Sequence, residues 1–152
     1  MKQVFISKKG VAVEEVPDPI VSNETVLVSN IFSCISIGTE LSSLRSIKEP
    51  LYKKVMNRPE VVKKIFHTYA NSGYSATKNI IKKKLNQFHE LGYSSSGFVE
   101  EVGNGVDFVK PGDFVACSGG GIASHAEKIL VPKNLLVKLK DKSKICESAT
   151  VS

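Results

Sequence analysis

The chain has 152 residues, enough for one domain with a hydrophobic core. Its composition, with 41% hydrophobic and 24% charged residues but only 11 glycines and 6 prolines, excludes disordered and collagen-like proteins. The net charge of +6 is compatible with nucleic-acid binding, because basic proteins often bind nucleic acids. The motifs of the sequence must decide whether this one does.

Short strands separated by turn residues account for most of the chain. Runs of β-branched and aromatic residues predict strands at 3–6, 11–16, 25–32, 97–102, 114–116 and 126–131. The short strands and tight turns favour a small barrel or sandwich over alternating βαβ units. The predicted fold is therefore mainly β.

One segment, residues 45–90, departs from this pattern and is predicted to be a helical insertion in the β domain. Apolar residues recur there at the three- and four-residue spacing of an amphipathic helix, at Val62, Ile65, Phe66 and Tyr69. A second helix is expected at about 75–85. With this insertion the chain is α+β overall.

The insertion also carries the positive charge. It has eleven basic and three acidic side chains, a net charge of +8, which leaves −2 for the rest of the chain. We interpret these lysines and arginines as a solvated helix face, and an anionic ligand or a partner surface stays open as an alternative. Specific nucleic-acid binding is disfavoured, because no helix-turn-helix, zinc finger or aromatic stacking pattern accompanies the charge.

The order of motifs in the strands resembles that of medium-chain dehydrogenases/reductases. The residues that carry the resemblance are 25–28, 99–103, 105–106, 108–115, 123–127 and 131–132. The resemblance implies that residues 1–152 form a GroES-like β-barrel domain, which carries much of the active site of an NAD(P)-dependent alcohol dehydrogenase-like oxidoreductase. It also implies a C-terminal Rossmann domain that binds most of the NAD or NADP and lies outside these 152 residues.

Two finer matches narrow the resemblance. Residues 35–40 are similar to the I-S-x-G-T-E motif of members that lack zinc, and residues 58–59 and 91–97 resemble bi-domain oxidoreductases of bacterial polysaccharide clusters. Such a protein would act on a small molecule, with a sugar or sugar nucleotide as the expected class. The cysteine ligand of zinc members is replaced by Ile37, and their histidine and glutamate are replaced by Tyr93 and Ser94. We therefore expect no zinc.

The resemblance also assigns candidate site residues. The expected catalytic residues are Thr39, Glu40 and Tyr93, and the expected substrate-binding residues are Ser36, Ser94 and His125. Thr39 is also expected to contact the cofactor. Alternatives stay open for four of them. Thr39 would instead cap a helix, Glu40 would hold its loop, Tyr93 would be a packed aromatic, and His125 would be structural.

The remaining expectations concern the context of the domain. The three cysteines (Cys34, Cys117 and Cys146) are odd in number and widely spaced, which disfavours a disulfide framework. With no long apolar run and no signal-peptide pattern, we expect a cytoplasmic protein without membrane contact.

Residues 147–152 resemble the start of the helix that leads into a Rossmann domain, so the fragment alone should be inactive. The apolar surface on which the expected Rossmann domain would pack would then be exposed, which favours association into a homo-oligomer. The alternative is a non-catalytic binding or assembly module on the same barrel.

Overall fold

A computed structural model of the chain describes residues 1–8, 10–48 and 88–150. In these ranges the strands are β1 (Lys2–Ser7), β2 (Gly10–Glu15), β3 (Thr25–Ser33), β4 (His89–Glu90), β5 (Ser94–Val102), β6 (Phe114–Ser118), β7 (Lys128–Pro132) and β8 (Leu136–Lys138). The α-helices are α1 (Ile37–Lys48) and α2 (Ile145–Ser148). None of the helices described in these ranges is long and apolar enough to cross a membrane.

The strands form two antiparallel sheets. The small sheet has the order β2-β1-β4, and the large sheet has the order β7-β3-β5-β6-β8. This arrangement confirms the mainly β prediction, and the large sheet curls into an open half-barrel around its core. Of the strands, β4 and β8 were not predicted, because two or three residues are too few to show a hydrophobic period.

The core lies on the inner face of the large sheet. Its central side chains are at most 1% exposed and come from four neighbouring strands, with Val26 and Val28 in β3, Val99 in β5, Val115 in β6 and Val131 in β7. Burying each valine fully is worth roughly 1.5–3 kcal/mol. Cys117 belongs to the same core, and burial raises the pKa of its thiol to about 12, so this cysteine is an apolar packing residue.

The predicted helical insertion differs from the structure at both of its ends. Helix α1 begins at Ile37, before the predicted start at 45, and residues 89–90 pair with Phe5 and Ile6 of β1 as strand β4. The pairing with β1 supplies the long-range hydrogen bonds that a local pattern cannot show. The two helices predicted within the insertion lie outside the described residues.

Asp113 closes the turn before β6 and gives a pH-dependent prediction. Its carboxylate accepts hydrogen bonds from Lys138 Nζ at 2.6 Å and from the Lys110 amide at 2.9 Å. These bonds, that of Lys138 first, hold the pKa of Asp113 below its ordinary value of 3.8. Because the folded pKa is lowered, the stabilisation is complete above the ordinary pKa and is lost as the pH falls through the folded pKa.

We therefore expect Asp113→Asn to lower the melting temperature modestly at pH 7 and to have no effect once the wild-type carboxyl is protonated. Thermal denaturation at pH values from 7 to 2 measures this difference. Asp107→Asn is the matched control, because Asp107 is exposed. A melting difference that stays constant down to pH 2 would contradict the prediction.

Candidate functional site

A cleft of about 350 Å³ lies where the small sheet meets the end of β3. Its lining combines apolar and polar side chains, among them Val13, Ile31, Phe32, Asn30, Ser33 and His125. The three apolar residues are 63%, 45% and 41% exposed, so the cleft offers solvent-accessible hydrocarbon beside hydrogen-bonding groups. A volume of this size suits a small organic ligand.

A chain of hydrogen bonds borders this cleft. His125 Nδ1 lies 2.9 Å from Ser33 Oγ, and His125 Nε2 lies 3.0 Å from Glu40 Oε1. The side chains of His125 and Glu40 are only 10% and 18% exposed, whereas Ser33 is exposed. Glu40 lies in the first turn of α1, where the helix dipole stabilises its negative charge. The arrangement suits proton transfer, because an imidazole is held between a carboxylate and a hydroxyl.

The backbone of His125 is fixed between the two sheets. Its amide donates to Leu91 O at 2.8 Å, and its carbonyl accepts from the Val4 amide at 2.8 Å. Gly92 makes this approach possible. A Cβ at Gly92 would lie 2.7 Å from the His125 nitrogen, and its φ of +103° is one that other residues rarely adopt. The segment around His125 therefore joins the small sheet to the large one.

An irregularity in β3 aims Ser33 at His125. In the pairing with β5, Asn30 lies opposite Gly97 and Phe32 lies opposite Ser96, so Ile31 is an extra residue. Such a bulge reverses the alternation beyond it and places Ser33 on the same face as Asn30. The Asn30 amide group donates to Ser124 O at 3.2 Å and to Ala126 O at 2.8 Å, on either side of His125. The bulge thus brings the side chains of Asn30 and Ser33 to the same segment, residues 124–126.

Comparisons with protein-family models and with curated proteins find no match to the sequence. Solved structures do match. The quinone oxidoreductase from Coxiella burnetii has a TM-score of 0.63 and 18% identity, over 99% of this chain and 40% of that chain. The JamJ enoyl reductase (apo form) has a TM-score of 0.62 and 17% identity, over 99% of this chain and 38% of that chain. The Escherichia coli quinone oxidoreductase complexed with NADPH has a TM-score of 0.58 and 12% identity, over 91% and 33%.

The chain has a GroES-like fold, which it shares with these oxidoreductase structures. This confirms the fold that the motifs of the sequence predicted. The GroES-like chain spans about two fifths of the length of the Coxiella burnetii protein and a third of that of the Escherichia coli protein.

Five of the six predicted site residues of the GroES-like domain lie outside the cleft lining, and three of these, Ser36, Thr39 and Glu40, are at the start of α1. Ser36 precedes the helix, and its hydroxyl donates to Thr39 Oγ1 at 3.2 Å. Ser36 Oγ also lies 3.5 Å from the Thr39 amide, and its carbonyl accepts from the Glu40 amide at 2.9 Å. The cap position therefore belongs to Ser36, and Thr39 is an exposed residue of the first helical turn.

Tyr93 and Ser94 are not among the residues that line the cleft. The Ser94 hydroxyl is fully buried and donates to Ala149 O at 2.7 Å, so it anchors α2 and does not face a substrate. Tyr93 is half-buried, and its carbonyl accepts from the Gly119 amide at 2.8 Å. The structure does not include Tyr93 in the hydrogen-bond chain of His125.

The structure adds Ser33, which the sequence analysis did not select. It is the last residue of a strand, and only the bulge at Ile31 turns it towards His125. A bulge depends on the pairing of β3 with β5, so no local pattern reveals it. Across the described residues, no group of three His, Cys, Asp or Glu side chains is close enough to hold a metal ion.

Proposed function

We propose that this GroES-like domain is the substrate-side domain of an NAD(P)-dependent oxidoreductase that transfers hydride between a nicotinamide and an alcohol or carbonyl carbon. The observation that carries the proposal is the half-buried His125 hydrogen-bonded to Glu40 and Ser33 beside an open cleft. The shared fold of a quinone oxidoreductase complexed with NADPH supports it. A site of this kind supplies the proton that accompanies each hydride.

The residues of this chain suit a limited part in holding the cofactor. Thr39 is exposed in the first turn of α1, a position from which its side chain can contact a ribose. We propose that a Rossmann domain holds most of the cofactor, whose nicotinamide supplies or accepts the hydride when bound. The chain described here then contributes the cleft, the orientation of the substrate and the movement of the proton.

We further propose that the reaction needs no zinc. Ile37 occupies the position of the family's cysteine ligand, and its hydrocarbon side chain is 72% exposed. Ser94 occupies the position of a carboxylate, and its hydroxyl already donates to Ala149 O. Without a Lewis acid, the substrate oxygen must be stabilised by hydrogen-bond donors, which the Ser33–His125–Glu40 chain supplies.

The substrate class that we propose is a small carbonyl or hydroxyl compound, with a sugar or sugar nucleotide as the first candidate. The cleft supports a small polar substrate, because Asn30, Ser33 and His125 are among its lining residues and Ile31 and Phe32 contribute apolar surface. The resemblance to oxidoreductases of polysaccharide clusters supports the sugar. A protein of this kind acts in the cytoplasm, where its cofactor is available.

Activity of the protein encoded by the complete reading frame tests this function. We expect oxidation of NADH or NADPH with quinones, aldehydes or nucleotide-activated keto sugars, and we expect a chelator of zinc to leave the rate unchanged. His125→Asn should lower the rate by about 10²-fold or more. His89→Asn is the matched control, since His89 lies exposed in β4. No turnover with any acceptor and no nicotinamide binding would favour a non-catalytic binding module instead.

Cofactor binding by the isolated domain gives a second test. Residues 1–152 alone should bind neither NADH nor NADPH at micromolar concentrations, because the Rossmann domain is proposed to supply most of the contacts. Nicotinamide fluorescence titration measures this, with the protein from the complete reading frame as the positive control. Binding of NADH or NADPH by the 152 residues at micromolar concentrations would overturn the proposal that a Rossmann domain supplies most of the cofactor contacts.

A further inference from the structure

The hydrogen-bond chain beside the cleft has a direction. Both ring nitrogens of His125 are engaged, Nδ1 with Ser33 at 2.9 Å and Nε2 with Glu40 at 3.0 Å. The imidazole therefore has no nitrogen left for a substrate. Ser33 is the exposed end of the chain and lines the cleft, whereas the Glu40 side chain at the other end is 18% exposed and outside the cleft lining.

We propose that Ser33 is the catalytic residue that exchanges a proton with the substrate oxygen, with His125 as the proton acceptor behind it and Glu40 as a positioning residue. This inference rests on the proposed oxidoreductase function. It changes the roles expected from the sequence, in which Glu40 was catalytic and His125 bound substrate. Ser33 had no role there.

Because a carboxylate can only accept hydrogen bonds, Glu40 determines which ring nitrogen of His125 carries the hydrogen. Ionised Glu40 can only accept, so Nε2 of neutral His125 carries the hydrogen and donates to Oε1. Nδ1 then has a free lone pair and accepts the hydroxyl hydrogen of Ser33. The remaining lone pairs of Ser33 Oγ are left for a donor in the cleft. An alcohol substrate provides that donor in its own hydroxyl group.

The proposed step balances in atoms and charge. In alcohol oxidation, the substrate hydroxyl gives its proton to Ser33 Oγ while the Ser33 proton moves to Nδ1 of His125. The carbon–hydrogen bond breaks, its electron pair leaves as hydride to the oxidised nicotinamide, and the substrate carbonyl forms. The resulting imidazolium is stabilised by Glu40 and later releases its proton to water. Carbonyl reduction runs through the same positions in reverse.

The surrounding structure holds Ser33 in this position from two sides. The bulge at Ile31 turns Ser33 to the face of Asn30, and Asn30 is bound to the backbone on both sides of His125. A serine that only ended a strand would need neither the bulge nor the hydrogen bonds of Asn30. Bulges commonly re-aim a side chain beside an active site. The competing interpretation is that Ser33 only fastens β3 to His125 and never meets a substrate.

The tautomer of His125 tests the inference without any enzymatic turnover. In protein labelled with ¹⁵N at histidine, the ring signals of His125 are assigned by their loss in His125→Asn. We expect a protonated Nε2 and an unprotonated Nδ1 in the neutral ring. A neutral ring protonated at Nδ1 would overturn the inference, because Ser33 would then be the acceptor and could take no proton further.

Kinetics of the protein from the complete reading frame supply the second test. Ser33→Ala should lower kcat by about 10²-fold with KM within about 3-fold, and Ser33→Thr, which keeps the hydroxyl, should recover most of kcat. The wild type should show a solvent deuterium isotope effect on kcat that Ser33→Ala changes. Ser42→Ala is the matched control, because Ser42 is exposed on α1.

The outcomes separate the two proposals. If the wild type turns over and Ser33→Ala keeps its kcat, the role of Ser33 is wrong and the oxidoreductase function stands. If Ser33→Ala raises KM alone, Ser33 binds substrate without transferring a proton, and the inference is overturned. If the wild type has no nicotinamide-dependent activity, the proposed function fails first, whatever the tautomer of His125.

Discussion

Gly97→Ala is expected to destabilise the domain by more than about 4 kcal/mol, which approaches the whole stability of a domain at the low end of the ordinary range of about 5–15 kcal/mol. A Cβ at Gly97 would overlap the carbonyl oxygen of Ser29 and lie 2.8 Å from its carbonyl carbon. It would also lie 3.0 Å from the Cα of Asn30. All three atoms belong to the backbone of β3, so no side-chain rotation relieves the overlap, and the central pair of strands must separate.

Thermal denaturation followed by circular dichroism measures this effect, with soluble yield as a second readout. Gly120→Ala is the matched control, because a Cβ there has no neighbouring atom within 4 Å. The control should melt within a few degrees of the wild type. If Gly97→Ala also melted within a few degrees, β3 and β5 would not approach as closely as the structure shows.

Under the proposed oxidoreductase function, Glu40→Gln is expected to lower kcat of the protein from the complete reading frame by about 10²–10⁴-fold while leaving the fold intact. A glutamine offers His125 either its carbonyl oxygen or its amide hydrogens, so the imidazole tautomer is no longer fixed. With the amide hydrogens towards Nε2, the ring proton moves to Nδ1, and Ser33 can no longer pass a proton to His125. The imidazolium formed during turnover also loses its neighbouring negative charge.

Steady-state rates with NADH or NADPH test this prediction, and thermal denaturation checks that the variant is folded. Glu101→Gln serves as the control, since Glu101 is exposed in β5 and takes no part in the hydrogen-bond chain. The control should keep the wild-type rate. A rate within about 3-fold of the wild type for Glu40→Gln would show that the carboxylate does not set the state of His125.

Much of the fold was predictable because it depends on local signals. Alternating apolar residues predicted β3, and β-branched and aromatic residues predicted the 97–102 part of β5. The turn at Pro111–Gly112 indicated the start of β6. The motif spacing in 99–115 then identified the GroES-like fold. Strands β4 and β8 were missed for the opposite reason, because each is held by its partner strand rather than by its own pattern.

The candidate site was predictable only in part. Glu40 and His125 were selected as separate residues, and their contact joins positions 85 residues apart in the chain, which one sequence cannot show. Ser33 was missed because the bulge at Ile31 reverses the strand alternation on which its orientation depends. Ser94 was assigned to substrate by its motif position, whereas its complete burial beneath α2 is a property of tertiary packing.

The position of His125 limits where the chain can vary in length. Residues 124–127 are bound to the small sheet through Gln3 and Val4 and to the large sheet through Asn30. An inserted or deleted residue within 124–127 would break these bonds together and move the imidazole away from Ser33. The loop at 17–24 contributes no residue to the cleft lining, and its Asp18 forms ion pairs with the N-terminal amine and with Lys128. Insertions beside its exposed Ile20 are therefore expected to leave the site geometry unchanged. Among domains of this fold, variation in length is therefore expected in the outer loops, with the length of the His125 segment held constant.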